Sequence, residues 1–322
     1  MAQLDNRATS EGIPSGDNRA TSEGIPSGHN RGGRRLVAGI PLFWLLLFFL
    51  IPFIIVLKIS FSEVRLAMPP YAPLFQWVHG WPAPKLHLGN YGFLFTDPLY
   101  ISAYLYSLKV ALVSTACCLL IGYPMAYAIS HASPAWRTVL LMMIVLPFWT
   151  SFLLRVYAWI GLLKNNGVIN NVLMYLGIIH EPIPLLQSDF AVYIGIVYSY
   201  LPFMILPLYA NLEKHDNTLL EAAADLGANP MTAFFRITLP QSVAGIIAGS
   251  LLVFIPAVGE YVVPSLLGRT DQLMIGRVLS DEFFENRDWP VASAVAILIL
   301  LALVIPIMLF QYFQRRELEA SK

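Results

Sequence analysis

From Leu36 to Leu57 the chain runs for 22 residues without a charge, and this is only the first of several such runs. About twenty apolar residues in a helix cover the roughly 30 Å of a bilayer's hydrocarbon core. No water reaches the backbone there, so each N–H and C=O must be satisfied within the helix itself. Composition points the same way. The chain has 322 residues, 57% of them hydrophobic and only 12% charged, where a soluble protein carries about 25% charged residues. A polytopic membrane protein is predicted. The first run is too long for a signal peptide and lacks a small-x-small cleavage site, so it is expected to be retained. Net charge is zero and gives no basis for nucleic-acid binding. The two cysteines, Cys117 and Cys118, are adjacent in an apolar run. That spacing suits neither an ordinary disulfide nor a metal, so they read as packing residues.

Six spans are predicted. The first transmembrane helix is placed at 36–62, followed by a polar-aromatic loop over 63–102 with Pro69-Pro70, Trp77, Trp81 and Pro82. Five more spans fill 103–313: about 103–130, 138–163 (interrupted by Pro147 and Arg155), 190–212, 242–267 and 289–313. An amphipathic segment is expected near Val168 to Leu176. Residues 1–35 are polar and carry a duplication, Asp5 to Gly16 recurring as Asp17 to Gly28; their composition predicts a disordered tail. Residues 314–322 form a second short tail. Arg31, Arg34 and Arg35 precede the first span, and Arg315 and Arg316 follow the last. Both termini are therefore expected in the cytoplasm. Lys164, Arg269, Arg277 and Arg287, in loops assigned to the periplasm, run against that pattern.

Between the fourth and fifth spans lies a polar stretch, 213–241, that reads as two short helices and a turn. Thr218 and Glu221 fit a capping box. Ala222, Ala223 and Ala224 propagate a helix, and Gly227 can take the left-handed conformation that ends it. Asn229 is placed as the cap of a second helix, with Pro230 in its first position. The result is a compact knob for another protein to grip. Between Thr218 and Pro240, Arg236 is the only basic residue, too few for DNA binding.

The knob also resembles the signature of permease subunits of bacterial ABC importers: Glu221-Ala222-Ala223, then Gly227, then Ile237, Leu239 and Pro240, each at the family's spacing. Longer runs resemble the polyamine importers, closest to the putrescine branch with the spermidine/putrescine branch near: Leu146 to Trp159, Leu163 to Asn171, Phe254 to Tyr261, and Met274 to Arg277 through Asn286 to Val295. The similarity covers about 36–313. It implies an all-α, MetI-like type I importer fold with six transmembrane helices, spans two to six forming the shared domain. It implies as partners a second permease subunit, a dimer of ATP-binding subunits and a periplasmic polyamine-binding protein. The ATPase is then expected to dock on Glu221, Ala222, Ala223, Asp225, Leu226, Gly227, Asn229, Pro230 and Phe235.

No catalytic constellation is present. The chain has no phosphate-binding Gly-x-x-x-x-Gly-Lys-Ser/Thr loop, so ATP belongs to a partner and no cofactor is expected here. The six histidines are not paired as metal ligands. What remains are charges within spans, each costing several kcal/mol unless paired or lining a cavity. Lys109 lies near an interface and is read as snorkelling. Arg155 follows Pro147, and Glu260 sits between Pro256 and Pro264 beside Gly259, where the helix is expected to break. Glu260 and Arg155 either form an ion pair or line a route together with Trp149, Tyr157, Trp159, Tyr200 and Tyr261. Aromatic rings suit a cationic substrate, but a membrane-interface belt has the same composition. Competing readings are a permease for iron, sulfate or a sugar, an ATP-independent channel or carrier, and a scaffold without flux.

Overall fold

A computed structural model describes residues 39–78, 81–216 and 218–320. The duplicated tail and the arginines at 31, 34 and 35 lie outside them. The chain divides into two units, Met1–Pro52 and Phe53–Lys322, the first of which carries most of helix α1 (Gly39–Ser60). The mean hydropathy of α1 reaches 2.9 over a bilayer's length.

In the second unit, the region expected to be a plain loop holds a two-stranded antiparallel hairpin. Strand β1 (Phe75–Val78) pairs with β2 (Trp81–Pro84), with Val78 opposite Trp81. Aromatic and β-branched residues at Phe75, Trp77 and Val78 favour strand, a local signal the polar-loop reading passes over. Helix α2 (Gly89–Thr96) follows. Its buried Asn90 donates to the carbonyls of Ser60 and Ser62, both at 2.9 Å.

The centre is a bundle of three helices: α3 (Pro98–Ser130), α7 (Asp189–Leu212) and α10 (Val243–Val258), each packed on the other two. Helix α3 begins five residues before its predicted start because Asp97 caps it, accepting from Leu99 N at 2.8 Å, with Pro98 in the first position. Ser188 caps α7 in the same way, accepting from Ala191 N at 3.2 Å. One cluster joins Val110, Val192, Ile196 and Val258; a second joins Cys118, Met204, Ile205 and Val253. Cys118 is fully buried and Cys117 partly so, both as free thiols. Lipid tails are as apolar as these side chains, so it is the tightness of packing, rather than escape from water, that holds such helices together.

Two predicted spans are broken. The third is α4 (Pro134–Val145), a 3₁₀ turn through Trp149, and α5 (Phe152–Leu163), which leads to α6 (Val168–Tyr175). From Pro134–Trp149 to Phe152–Tyr175 the chain bends by 90°. Pro147 removes a helical hydrogen bond just before the break. The fifth is α10 followed, after Gly259-Glu260-Tyr261, by α11 (Val262–Leu267). Helix α12 (Ile275–Ser280) continues into a π-helical turn, Asp281–Glu285, and α13 (Trp289–Ala320) closes the chain. Among the described residues three helices are long and apolar enough to cross a membrane, and an apolar stretch Trp289–Val304 lies within α13. Two further pairs qualify together but are bent: Pro134–Trp149 with Phe152–Tyr175, and Pro230–Gln241 with Val243–Val258, the latter by 62°. The architecture is all-α apart from the hairpin.

Candidate functional site

The knob consists of α8 (Thr218–Asp225) and α9 (Pro230–Gln241), with a π-helical turn over Phe234–Thr238 inside α9. Its turn follows the sequence closely. Gly227 has φ +82°, and around it Ala228 N donates to Ala223 O and Gly227 N to Ala224 O, both at 2.9 Å. That pair of bonds satisfies carbonyls the helix end would leave open. Asn229 Oδ1 accepts from Thr232 N at 2.7 Å, and Pro230 occupies the first position. The start of α8 differs from the capping box predicted at Thr218 and Glu221. Thr218 is the first helical residue, and its N–H donates to Asp216 Oδ1 at 2.9 Å. An ionised carboxylate is the stronger acceptor, so Asp216 takes the capping role. That bond also holds the Asp216 carboxyl below its ordinary range. Glu221 sits in the first turn, where the helix dipole favours a negative charge.

Consecutive phenylalanines in the π-turn divide the work. Phe234 meets the rings of Tyr123 and Tyr127 on α3 edge-on, with centroids 5.7 and 5.9 Å away. Phe235 turns outward and is exposed, as are Leu219, Met231 and Leu226, the last at 89%. A groove of about 500 Å³ between the two helices is lined by Ala223, Leu226, Gly227, Asn229, Thr232 and Ile237, among others. The knob therefore carries an apolar, grooved face on a base fixed to the bundle. Three contacts that the sequence does not announce hold the base. Arg137 Nη1 pairs with Glu213 at 2.8 Å while Nη2 donates to Ser130 O, and Tyr123 OH meets Ser242 Oγ at 2.9 Å. A cavity of about 260 Å³ lies beside them, walled by Arg137, Glu213, His215 and Asp216, among others.

The charges within spans are arranged differently from the expected pair. No ion pair joins Glu260 to Arg155 among the described residues. Glu260 is 7% exposed, and its carboxylate takes three donors: Tyr200 OH on one oxygen, and Val262 N (3.0 Å) and Val263 N (3.3 Å) on the other. Arg155 lies instead over the rings of Phe148 and Phe152, 5.2 and 5.6 Å from their centroids, with Nε buried and lacking a hydrogen bond. Of the aromatics, Tyr200 meets Glu260 directly and Tyr261 follows it in the chain. Trp159 packs edge-on against Tyr198 at 5.6 Å, whereas Trp149 (79%) and Tyr157 are exposed. Lys109 is exposed on α3, as a snorkelling residue would be.

Residues 118–319 match the model of a family described as "Binding-protein-dependent transport system inner membrane component". The chain belongs to that family. The permease is 42% identical over 285 residues to the spermidine/putrescine transport system permease protein PotB of Haemophilus influenzae, covering 88% of this chain and 94% of that one. It is 43% identical over 235 residues to PotB of Escherichia coli, covering 73% and 84%. With the inner membrane ABC transporter permease protein YdcU of E. coli, identity is 33% over 236 residues, covering 68% and 74%. In fold it is similar to a chain of a bacterial alginate ABC transporter solved in complex with an alginate pentasaccharide-bound periplasmic protein. The TM-score is 0.65, with 18% identity, covering 89% of this chain and 96% of that one. The chain is thus a multi-pass inner-membrane permease subunit of an ABC importer with a MetI-like fold.

Proposed function

We propose that the permease moves polyamines, putrescine and spermidine, from periplasm to cytoplasm, driven by ATP hydrolysed on separate subunits. The observation that carries this reading is the 42% identity, over nearly the whole of both chains, to a permease that bears the spermidine/putrescine name. Its partners are then a second permease subunit, an ATPase dimer seated on the knob, and a periplasmic binding protein that delivers substrate. The exposed apolar face of α8 and α9, at Leu226, Phe235 and their groove, supports the ATPase seat, since such a face is costly to leave in water. With the knob in the cytoplasm, both chain termini lie there too. The preference for putrescine over spermidine is part of the proposal.

The test is uptake in cells stripped of their own polyamine importers and supplied with this permease and its partners. Radiolabelled putrescine or spermidine should accumulate, and excess sulfate, ferric iron or sugar should not compete. Accumulation of one of those three in place of polyamine would overturn the substrate reading while leaving the importer class intact.

A further inference from the structure

The break in the fifth span is fastened on three sides. Glu260 caps α11 with one carboxylate oxygen and accepts from Tyr200 of α7 with the other. On the third side the backbone of Gly259 and Glu260 lies against Gly276 at the start of α12: a Cβ there would run into Gly259 O and sit 2.8 Å from Glu260 O. Three donors hold the carboxylate in one orientation and occupy most of its acceptor sites, so its contacts are those of a structural cap. The next residue, Tyr261, is 44% exposed. It opens on a pocket of about 590 Å³, whose walls include Gly259, Ser280, Phe283, Phe284 and Ile299. The π-helical turn puts the two phenylalanines side by side, with centroids 4.9 Å apart and planes at 79°, and Phe283 stacks on Trp289 at 5.0 Å. The same turn carries Asp281, Glu282 and Glu285. Glu282 is held by Tyr100 OH (2.7 Å) and Asn286 Nδ2 (3.0 Å), and Asp281 lies 3.9 Å from Arg277. Glu285 is exposed and makes no ion pair among the described residues.

We infer that Glu260 is a positioning residue that fixes the break and presents Tyr261, and that Tyr261 with Phe283 and Phe284 forms the pocket that receives an ammonium end of a linear aliphatic diamine. Ring faces attract a cation while leaving its alkyl chain in apolar surroundings, and Glu285, on the same turn as the two phenylalanines, adds an exposed negative charge. Weak, sequential contacts of this kind also suit a route, where a substrate must leave as readily as it enters. The inference rests on the polyamine reading above.

The experiment uses the whole transporter in proteoliposomes, with putrescine and spermidine delivered by saturating loaded binding protein, and reads both uptake and ATP hydrolysis. Glu260→Gln keeps an oxygen for the two backbone N–H groups and an amide for Tyr200, so near wild-type uptake is expected. Glu260→Ala should lose both uptake and assembly. Tyr261→Ala and Phe284→Ala should lower uptake per ATP hydrolysed about tenfold, with assembly and ATP hydrolysis kept, and Tyr261→Phe should restore most of it. If Glu260→Gln fails as badly as Glu260→Ala while assembled, the carboxylate charge itself meets the substrate and the positioning role falls. Wild-type transport by the two ring-to-Ala variants would take the pocket off the route. Loss of the second permease on purification of those variants would make the pocket a subunit interface and overturn the inference. Absence of polyamine uptake by the unmodified transporter would instead overturn the substrate reading, and the diamine pocket with it.

Discussion

Asp216 shows how one side chain sets a helix start. Its carboxylate accepts from Thr218 N, and that bond stabilises the charged form, lowering its pKa in the fold. The sign follows from linkage. A depressed folded-state pKa contributes stability that is present above the unfolded value, near 4, and is lost as pH falls through the folded one. Amide exchange in the first turn of α8 should therefore speed up, beyond its intrinsic pH dependence, as pH drops below about 4. Asp216→Asn can still cap but cannot titrate, and should remove that extra dependence. The same extra dependence in the variant would assign the effect to another group. Sequence made Gly227, Asn229 and Pro230 legible because each has one strong conformational role, and all three take it. It misplaced the cap of α8 because Asp216 and Thr218 are both good caps, and only the geometry of the chain arriving from α7 selects between them.

Among the elements, the π-turn in α9 has the most consequence. It sends Phe234 inward to Tyr123 and Tyr127 and Phe235 outward, so one turn both anchors the knob and builds its face. A knob that docks but is loosely anchored should grip the ATPase without passing motion on. Phe234→Ala is expected to leave ATPase co-purification near normal while lowering substrate moved per ATP several-fold. Wild-type coupling in Phe234→Ala would mean the anchor lies elsewhere, in the Arg137–Glu213 or Tyr123–Ser242 contacts. Amphipathic periodicity foretold the extent of α6, and the apolar run that of α7, each to within a residue. It gave neither the 90° bend after α4 nor the partner of Glu260. Proline marks where a helix is weak, but the bend angle and the choice of Tyr200 over Arg155 depend on how distant helices pack.

For the molecule as a whole, orientation decides whether the knob can meet an ATPase at all. In a background with Cys117 and Cys118 replaced, a cysteine at 229 should react with an impermeant thiol reagent only from the cytoplasm, and one at 281 only from the periplasm. The reverse pattern would put the knob on the wrong side for ATP. The runs of apolar sequence announced a membrane protein, and the signature spacing announced its family. The hairpin Phe75–Val78/Trp81–Pro84 escaped notice because four-residue strands in a polar loop carry little pattern.

Coupling through the knob is tested most directly by ATP-driven polyamine accumulation in proteoliposomes, comparing the unmodified permease with Glu221→Lys and Leu226→Asp. Leu226 is almost fully exposed and Glu221 makes no ion pair among the described residues, so both variants should insert and fold. The prediction is ATP-dependent accumulation by the unmodified transporter, and its loss in both variants together with loss of the co-purifying ATPase. Full assembly and undiminished accumulation in both would contradict a docking role for the knob.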